Sequence, residues 1–265
     1  MRVGFLQFSP VFGETAENTA VIAGAVAGAG ADLLVAPELA TSGYLFTGRE
    51  ELLDLAEPVP GPTSARLLEA VRSSGCTLAY GFAERSGREV YNSAVLLCPG
   101  GLLGVYRKAH LFSDEKRLFT PGPGPEGFPV FRAAGAAVGL LVCFDHLFPE
   151  AARTLALAGA GVVCHPSNLV LPEYGQLTTR VRALENRVYW ILANRYGEES
   201  RGGKTLRFTG ASQIVAPGGD ILARAPADRD AVEVVEIDPG LAADKHVTPL
   251  NDLFEDRRTD LYRLG

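Results

Sequence analysis

The sequence predicts a layered α/β fold with mixed β-sheets, and three observations support that prediction. Apolar runs rich in β-forming residues alternate along the chain with segments of helical periodicity. Two of these runs, 90–98 and 102–107, flank the Pro-Gly-Gly segment 99–101, a signal for a hairpin and so for antiparallel pairing. Other runs are separated by a helical segment, as in the crossovers between parallel strands.

Each predicted element follows from its periodicity and from the residues at its ends. The first helix, for example, has Glu14 near its start and Gly30 just past its end. We predict helices at about 14–29, 62–74, 149–159 and 173–186. We predict strands at 2–8, 32–37, 76–84, 90–98, 102–107, 137–143, 161–165, 188–194, 211–216 and 231–237.

Length and composition predict one domain, residues 1–265, with a large hydrophobic core. The 265 residues are 47% hydrophobic and 21% charged, which are ordinary values for a globular protein. The net charge of −6 gives little attraction for nucleic acid or for anionic lipid, so neither a nucleic acid nor a membrane is expected as a partner.

The start of the chain and the cysteines predict a cytoplasmic protein. Residues 1–10 read as a short apolar strand that runs into a turn, unlike a secretory signal. No apolar run reaches the roughly 20 residues that span a bilayer. The cysteines lack CxxC spacing, and three of them lie in apolar strand-like runs, so we expect buried thiols rather than a disulfide framework. They are Cys76, Cys98, Cys143 and Cys164.

Two segments of the chain resemble each other. Residues 3–6 (VGFL) are similar to residues 138–141 (VGLL), and each is followed by a helical stretch and a second strand that ends in a proline, Pro37 or Pro166. Chance reuse of such strings in α/β proteins is one interpretation. The other is a repeat of two similar strand–helix–strand units that face each other across a pseudo-two-fold axis.

A glutamate directly follows one apolar strand that ends in a proline. Glu38 comes after residues 35–37 (VAP), at the carboxyl end of a strand, where open α/β sheets place their ligands. A glutamate buried in such a place can have a raised pKa and act as a base near neutral pH. Taken alone, Glu38 also fits a solvated loop residue.

Basic side chains cluster where the second hairpin strand ends. Lys108 lies between Arg107 and His110, and a lysine in this place can stabilise a developing oxyanion. An ordinary charged strand end is the alternative for the lysine, and a packed, hydrogen-bonded side chain is the alternative for the histidine.

A third strand leads into a cysteine, a tight turn and then a helix. This order, at 139–150, is that of a nucleophile elbow, although the GxSxG pattern is absent. The turn would aim the Cys143 sulfur outward, and the Phe144 amide with the helix beyond it would favour a thiolate and an oxyanion. A core cysteine at a strand end is the alternative. Together the three segments supply a nucleophile, a base and a cation, the set that covalent acyl transfer needs.

The order Glu38, Lys108, Cys143 and its surrounding motifs resemble the carbon–nitrogen hydrolase (nitrilase-like) family over nearly the whole chain. This resemblance implies a four-layer α-β-β-α sandwich with two mixed sheets. The motifs that carry it are PELATSGY (37–44), YRKAHLF (106–112), TPG (120–122), CFDHLFPE (143–150), HPSN (165–168), RALENRVY (182–189), ANRYG (193–197) and FTGASQIVAPGG (208–219).

The resemblance also implies the roles of the site residues. Cys143 is the expected nucleophile, Glu38 the general base and Lys108 the cation that stabilises the transition state. Glu115 matches the family's second glutamate, which helps to orient the substrate and the other three residues. The further contacts expected with substrate or oxyanion are those of Phe144, Tyr44, His165 and Asn168.

The implied reaction is hydrolysis of a non-peptide carbon–nitrogen bond. The substrate is expected to be a small amide, carbamoyl compound or nitrile, which forms a thioester on Cys143 and releases ammonia or an amine. No metal or organic cofactor is expected. A non-catalytic nitrilase-like scaffold is a second hypothesis, although a scaffold has no need for all three reactive residues. A thiol redox protein that pairs Cys143 with Cys164 is a third.

The residue at position 147 narrows the range of expected substrates. In the family that this chain resembles, members that act on ω-amides or on carboxylate-bearing carbamoyl compounds have an arginine at the matching position. This chain has Leu147 instead. Because arginine is the usual bidentate partner of a carboxylate, we expect a substrate without a carboxylate next to the scissile group. His146 has an ordinary pKa of about 6.5 and is mostly neutral at pH 7. Arg182 is expected to pack against neighbours in its own helix.

We also expect a homodimer or a larger even oligomer. Family members pair through helices, and the predicted helix 149–159 is rich in small apolar residues that allow close approach. The tail 251–258 resembles the family's partner-contacting C-terminus. A closed two-fold contact is also the commonest oligomer.

Overall fold

The computed structural model describes residues 1–124 and 127–262. The helices are α1 (Thr15–Gly28), α2 (Arg49–Leu55), α3 (Pro62–Ser74), α4 (Glu115–Leu118), α5 (Pro149–Leu157) and α6 (Tyr174–Asn186). The strands are β1 (Arg2–Gln7), β2 (Leu33–Val35), β3 (Thr77–Ser86), β4 (Glu89–Cys98), β5 (Gly101–Arg107), β6 (Val130–Ala133), β7 (Ala136–Leu140), β8 (Val162–Ser167), β9 (Tyr189–Asn194), β10 (Tyr196–Arg201), β11 (Lys204–Thr209), β12 (Gln213–Val215), β13 (Ile221–Arg224), β14 (Ala231–Glu236), β15 (His246–Thr248) and β16 (Asn251–Asp252).

The two large sheets have the same strand pattern. One runs in the order β14-β1-β2-β3-β4-β5 and the other in the order β6-β7-β8-β9-β12-β13. In each sheet three parallel strands follow an antiparallel edge strand and precede two antiparallel strands. The repeated segments occupy equivalent places, because β1 pairs with β2 and β7 pairs with β8. The repeat is therefore a feature of the fold, and both sheets are mixed as expected.

Alternating side chains of each strand pack on opposite faces of the sheet. In β1, Val3 and Phe5 enter the core between the two sheets, whereas Leu6 packs on the side of α1 and α3. The second sheet contributes Val138 and Val162 to the shared core and is covered outside by α5 and α6. The layers are helices, sheet, sheet and helices, which confirms the predicted four-layer α-β-β-α sandwich.

The predicted helices and strands are all present, with ends that differ by a few residues. The hairpin at 99–101 forms, with Cys98 opposite Gly101. One difference bears on function: the strand predicted to reach Cys143 ends at Leu140, and Cys143 starts a 3₁₀ turn, Cys143–Leu147. The chain therefore leaves the sheet before the cysteine, which frees the turn from the hydrogen-bonding pattern of the strand.

Several elements were not predicted. The hairpin β10–β11 is polar along most of its length, so it lacks the apolar alternation that marks a half-buried strand. Its turn residues Gly202 and Gly203 both have positive φ, 55° and 74°, and this Gly-Gly pair was the available signal. The short α2, β6 and β13 were also missed.

The small residues of α5 do not form the exposed face that we expected. Ala151, Ala152 and Ala156 are buried within the chain itself, and Leu155 packs in the core between α5 and the second sheet. An interface between subunits would therefore have to use another helix face.

Among residues 1–124 and 127–262, no helix has the length and apolarity needed to cross a membrane.

Candidate active site

The ends of two strands and the start of a short helix bring two glutamates and a lysine into one buried cluster. Glu38 follows β2, Lys108 follows β5, and Glu115 starts α4. Lys108 Nζ lies 2.7 Å from Glu38 Oε1 and 2.8 Å from Glu115 Oε2. Glu38 and Lys108 have no exposed surface, so these charges interact with little screening by solvent.

The charges of the cluster follow from burial and from these contacts. Burial disfavours a charge on Lys108, but the nearby Glu115 and Glu38 carboxylates outweigh it and hold the lysine pKa well above its usual range. Burial raises the pKa of Glu38, although Lys108 opposes the change. Burial and then the Glu38 charge raise the pKa of Cys143 well above its usual range. Cys143 is therefore a thiol at rest and needs a base.

Glu38 has one oxygen held by the protein and one oxygen free. Oε1 accepts hydrogen bonds from Lys108 Nζ and from Asn92 Nδ2, each at 2.7 Å. Oε2 is buried and has no hydrogen-bond partner among the residues that the structure describes. Such an unpaired buried carboxylate oxygen is costly for folding, and it can accept a proton or an N–H from a ligand. Asn92 was not predicted; its signal was a polar residue inside the apolar run 90–98.

Asp145 holds the turn that carries Cys143. Its Oδ2 accepts hydrogen bonds from the Val142 amide at 3.0 Å and from the Tyr106 hydroxyl at 2.8 Å, and its Oδ1 accepts from the His110 amide at 3.1 Å. Cys143 has a φ of 45°, a left-handed conformation that costs a non-glycine residue roughly 1–3 kcal/mol. Asp145 thus ties the strained turn to the segment that follows Lys108, a role that we did not predict.

His165 lies behind the nucleophile, and both of its ring nitrogens form hydrogen bonds with protein groups. Trp190 Nε1 donates to His165 Nδ1 at 3.1 Å, so Nε2 carries the proton and donates to the Cys143 carbonyl at 2.9 Å. Burial holds the pKa of His165 well below its usual range, so the ring is neutral. The structure therefore places His165 where Nε2 holds the carbonyl of the cysteine turn, and its expected contact with the substrate stays a prediction.

The other expected site residues surround the cluster. Tyr44 donates its hydroxyl proton to Glu115 Oε1 at 2.6 Å, and Asn168 Nδ2 donates to the Glu38 carbonyl at 2.9 Å. A hydrogen bond from the Asn168 backbone amide favours the thiolate of Cys143. All eight residues expected at the site, Glu38, Tyr44, Lys108, Glu115, Cys143, Phe144, His165 and Asn168, lie in or directly beside this region.

Comparison with known proteins gives the family. The sequence model of the carbon–nitrogen hydrolase family matches residues 2–246. The chain belongs to the carbon–nitrogen hydrolase family. It is 43% identical over 266 residues to a protein of Pyrococcus abyssi named a nitrilase, with 99% of each chain covered. It is 37% identical over 243 residues to an (R)-stereoselective amidase of a Pseudomonas species, with 90% of this chain and 85% of the relative covered.

A solved hydrolase structure agrees with the fold and with the chemistry of the nucleophile. A variant of the amidase from Nesterenkonia sp. AN1 superposes with a TM-score of 0.81 at 28% identity, and the match covers 98% of this chain and 95% of that one. That structure shows covalent addition of an acetamide moiety at its active-site cysteine. The present chain is a thiol hydrolase of non-peptide carbon–nitrogen bonds, and the scaffold hypothesis is not favoured.

Two adjoining cavities lie beside the residues expected to act on the substrate. A small pocket of about 20 Å³ lies at Cys143 and is walled by Leu147, and a larger cavity of about 410 Å³ is lined by Glu115. Both are lined by Phe112 and Val170. A third cavity, of about 880 Å³, lies between α6 and the β10–β11 hairpin, and none of the expected site residues lines it.

Cys164 is not suited to redox pairing with the nucleophile. It has no exposed surface, and burial raises the pKa of its thiol. Because the thiolate is the reactive form in disulfide exchange, such a thiol is a poor partner. Both Cys143 and Cys164 are free thiols.

Proposed function

We propose that this enzyme hydrolyses a small amide or carbamoyl compound that lacks a carboxylate beside the scissile group, with Cys143 as nucleophile, Glu38 as general base and Lys108 as the cation at the reacting oxygen. The observation that carries the proposal is the buried Glu38–Lys108–Glu115 cluster, in which the Oε2 atom of Glu38 is unpaired among the described residues. A buried base with one free oxygen beside a protonated thiol is the arrangement that activates a nucleophile.

The first half of the reaction forms a thioester. Glu38 Oε2 takes the Cys143 proton while the sulfur attacks the carbon, and the carbonyl oxygen gains the negative charge. Lys108 and the Phe144 amide are the donors proposed for that oxygen, and one such donor typically contributes about 10²–10³ in rate. Glu38 then returns the proton to the nitrogen, the carbon–nitrogen bond breaks, and ammonia leaves.

The second half hydrolyses the thioester. Glu38 removes a proton from water, and the resulting hydroxide attacks the acyl carbon. The carbon–sulfur bond then breaks, the acid product leaves, and Glu38 returns the proton to the cysteine sulfur. Glu115 acts as a positioning residue, because it keeps Lys108 charged and is itself held by the Tyr44 hydroxyl. His165 and Asp145 are proposed to hold the strained turn of Cys143 through both halves.

The acyl pocket favours a substrate without a carboxylate beside the scissile group. Its wall at Leu147 is apolar, and burial followed by the Arg182 charge lowers the pKa of His146 to about 4. Arg182 donates to the carbonyl oxygens of His146 and Leu147 at 3.1 and 3.3 Å and to Glu185, so its guanidinium is already engaged. Among the described residues, no cation of this wall is therefore available to pair with a carboxylate.

An ammonia-release screen tests the proposed function. Amides, carbamoyl compounds and nitriles are supplied in matched pairs with and without a carboxylate, and Cys143→Ala serves as the inactive control. We expect turnover by the wild type only, with higher kcat/KM for the uncharged member of each pair. A preference of about tenfold, or roughly 1.4 kcal/mol, for the carboxylate member would contradict the proposed substrate class.

We propose that the enzyme is a homodimer that pairs through α6 and works in the cytoplasm as one catalytic domain. Tyr174, Leu177, Val181 and Leu184 are 57%, 62%, 40% and 50% exposed and follow the three- and four-residue spacing of one helix face. A row of this kind is expected at an interface. Light scattering should give a mass of about twice 28.1 kDa. Leu177→Glu should shift this mass towards that of the monomer. A wild-type protein that is monomeric at micromolar concentration would refute the dimer.

A further inference from the structure

His146 is a buried imidazole in the wall of the pocket at Cys143, and the mechanism above gives it no part. It follows the nucleophile by three residues in the same 3₁₀ turn and is only 3% exposed. Its Nδ1 lies 2.5 Å from the Thr178 hydroxyl oxygen. That hydroxyl has a single proton and lies 2.7 Å from the Tyr174 carbonyl, to which it donates. Nδ1 is therefore the donor to Thr178.

This arrangement leaves Nε2 of His146 as a hydrogen-bond acceptor. The ring is neutral at working pH, since burial and the Arg182 charge lower its pKa to about 4. In residues 1–124 and 127–262, Nε2 has no protein partner. A neutral imidazole protonated on Nδ1 carries a lone pair on Nε2, so this atom can accept but cannot donate.

The pocket around His146 offers unpaired acceptors among mostly apolar walls. Asn168 Oδ1 is buried there without a partner in the described part of the chain. Phe112, Leu147 and Leu169 contribute apolar surface. A site with free acceptors discriminates against a ligand that brings no donor, because the buried acceptor then loses its water without replacement.

We propose that His146 Nε2 accepts a hydrogen bond from an N–H or O–H of the acyl part of the substrate, close to the scissile carbon, and so determines specificity. The inference rests on the proposed function and deepens it. The pocket at Cys143 has a volume of only about 20 Å³, so the donor belongs to the first atoms of the acyl group. The N–H of an N-alkylurea supplies such a donor, as does an α-hydroxyl group, whereas the CH₂ of a simple amide does not.

A set of isosteric substrates tests this inference. An N-alkylurea, an alkyl carbamate and a simple amide with the same alkyl chain place NH, O and CH₂ at one position, and each yields ammonia on hydrolysis. An α-hydroxy amide adds an O–H donor to the set. Rates are compared for the wild type, His146→Leu and His146→Gln, and the ratio of mutant to wild-type kcat/KM cancels the intrinsic reactivity of each compound.

We expect His146→Leu to lower kcat/KM for the urea or the α-hydroxy amide at least about tenfold more than for the amide and the carbamate. His146→Gln should restore part of this difference, because its amide oxygen can accept. If His146→Leu does not fold, the same comparison is made with His146→Gln and Thr178→Val. Thr178→Val leaves Nδ1 without its acceptor and should reduce the preference for the donor-bearing substrate.

Two results would overturn the inference. An equal loss on all compounds would make His146 a packing residue, and a selective loss on the carbamate would mean that Nε2 donates. Failure of the proposed function looks different, because the wild type would then release ammonia from none of the compounds. The selectivity ratios therefore separate the role of His146 from the chemistry of Cys143.

Discussion

Replacing Glu38 by glutamine tests the central step, because it removes the base and preserves the shape of the site. The side-chain carbonyl oxygen of the introduced glutamine can still accept from Lys108 and Asn92, the two donors that now contact Oε1. The new NH₂ then takes the place of Oε2, which has no protein partner within the described residues. An NH₂ in that place cannot receive the thiol proton, so both halves of the reaction lose their proton acceptor.

The expected loss in kcat for Glu38→Gln is about 10²–10⁴-fold, the usual contribution of a positioned base. At about 1.36 kcal/mol per factor of ten, this equals roughly 2.7–5.4 kcal/mol of transition-state stabilisation. The same change should lower the pKa of Cys143. The Glu38 charge raises that pKa and Lys108 opposes it, so removing the carboxylate leaves the lysine less opposed. The variant should thus form thiolate at a lower pH and yet turn over more slowly.

Two measurements check both parts of this prediction. Ammonia release gives kcat, and the ultraviolet absorbance of the thiolate against pH, with Cys143→Ala as the blank, gives the thiol pKa. Glu57→Gln is the matched control: Glu57 accepts hydrogen bonds from the amide and hydroxyl of Thr63 at the start of α3 and should keep wild-type turnover. Near-wild-type kcat in Glu38→Gln, or a thiolate that appears at higher pH, would refute the reasoning.

Four further predictions concern the same site. Cys143→Ala should fold and release no ammonia, whereas Cys76→Ala should stay active; equal rates in an ammonia assay would contradict a Cys143 thioester. Lys108→Ala should lower kcat at least about 10²-fold and also lower the melting temperature, because two buried carboxylates lose their shared cation; unchanged kinetics and calorimetry would disprove this. Asp145→Asn should lower kcat more than it raises KM, since it loosens the turn that carries the nucleophile; a pure KM effect would argue against that role. Because burial raises the pKa of Glu38, kcat/KM should fall on the acid side at a pH above an ordinary carboxyl pKa; an acid limb at about 4 or lower would exclude Glu38 as the titrating base.

The fold was predictable from the sequence wherever a single pattern of apolar residues specifies a helix or a strand. Alternation in β1 sends Val3 and Phe5 to one side of the sheet and Leu6 to the other, which is visible in the sequence. The hairpin β10–β11 was missed for the opposite reason, because its exposed strands carry charges on both sides. Periodicity reports burial, so elements that bury little surface leave little signal.

The site was predictable in its reactive residues and not in their supports. Glu38, Lys108 and Cys143 each follow a strand by one to three residues, a position that sequence order reveals. Asp145 and Asn92 act through contacts with residues 39 and 54 positions away in the chain, Tyr106 and Glu38 respectively, and local patterns do not report such contacts. The catalytic roles themselves stay predictions that the variants above test.

The substrate class of this enzyme depends on whether another cation takes the place of the arginine that Leu147 replaces. Arg182 is the nearest candidate in the sequence pattern, and we expected it to pack within its own helix. It does contact Glu185, but it also donates to the carbonyl oxygens of His146 and Leu147. A carboxylate that recruited Arg182 would have to detach it from the turn that begins at Cys143. Binding such a substrate would therefore disturb the strained geometry that presents the nucleophile, and this cost favours an acyl group without a carboxylate.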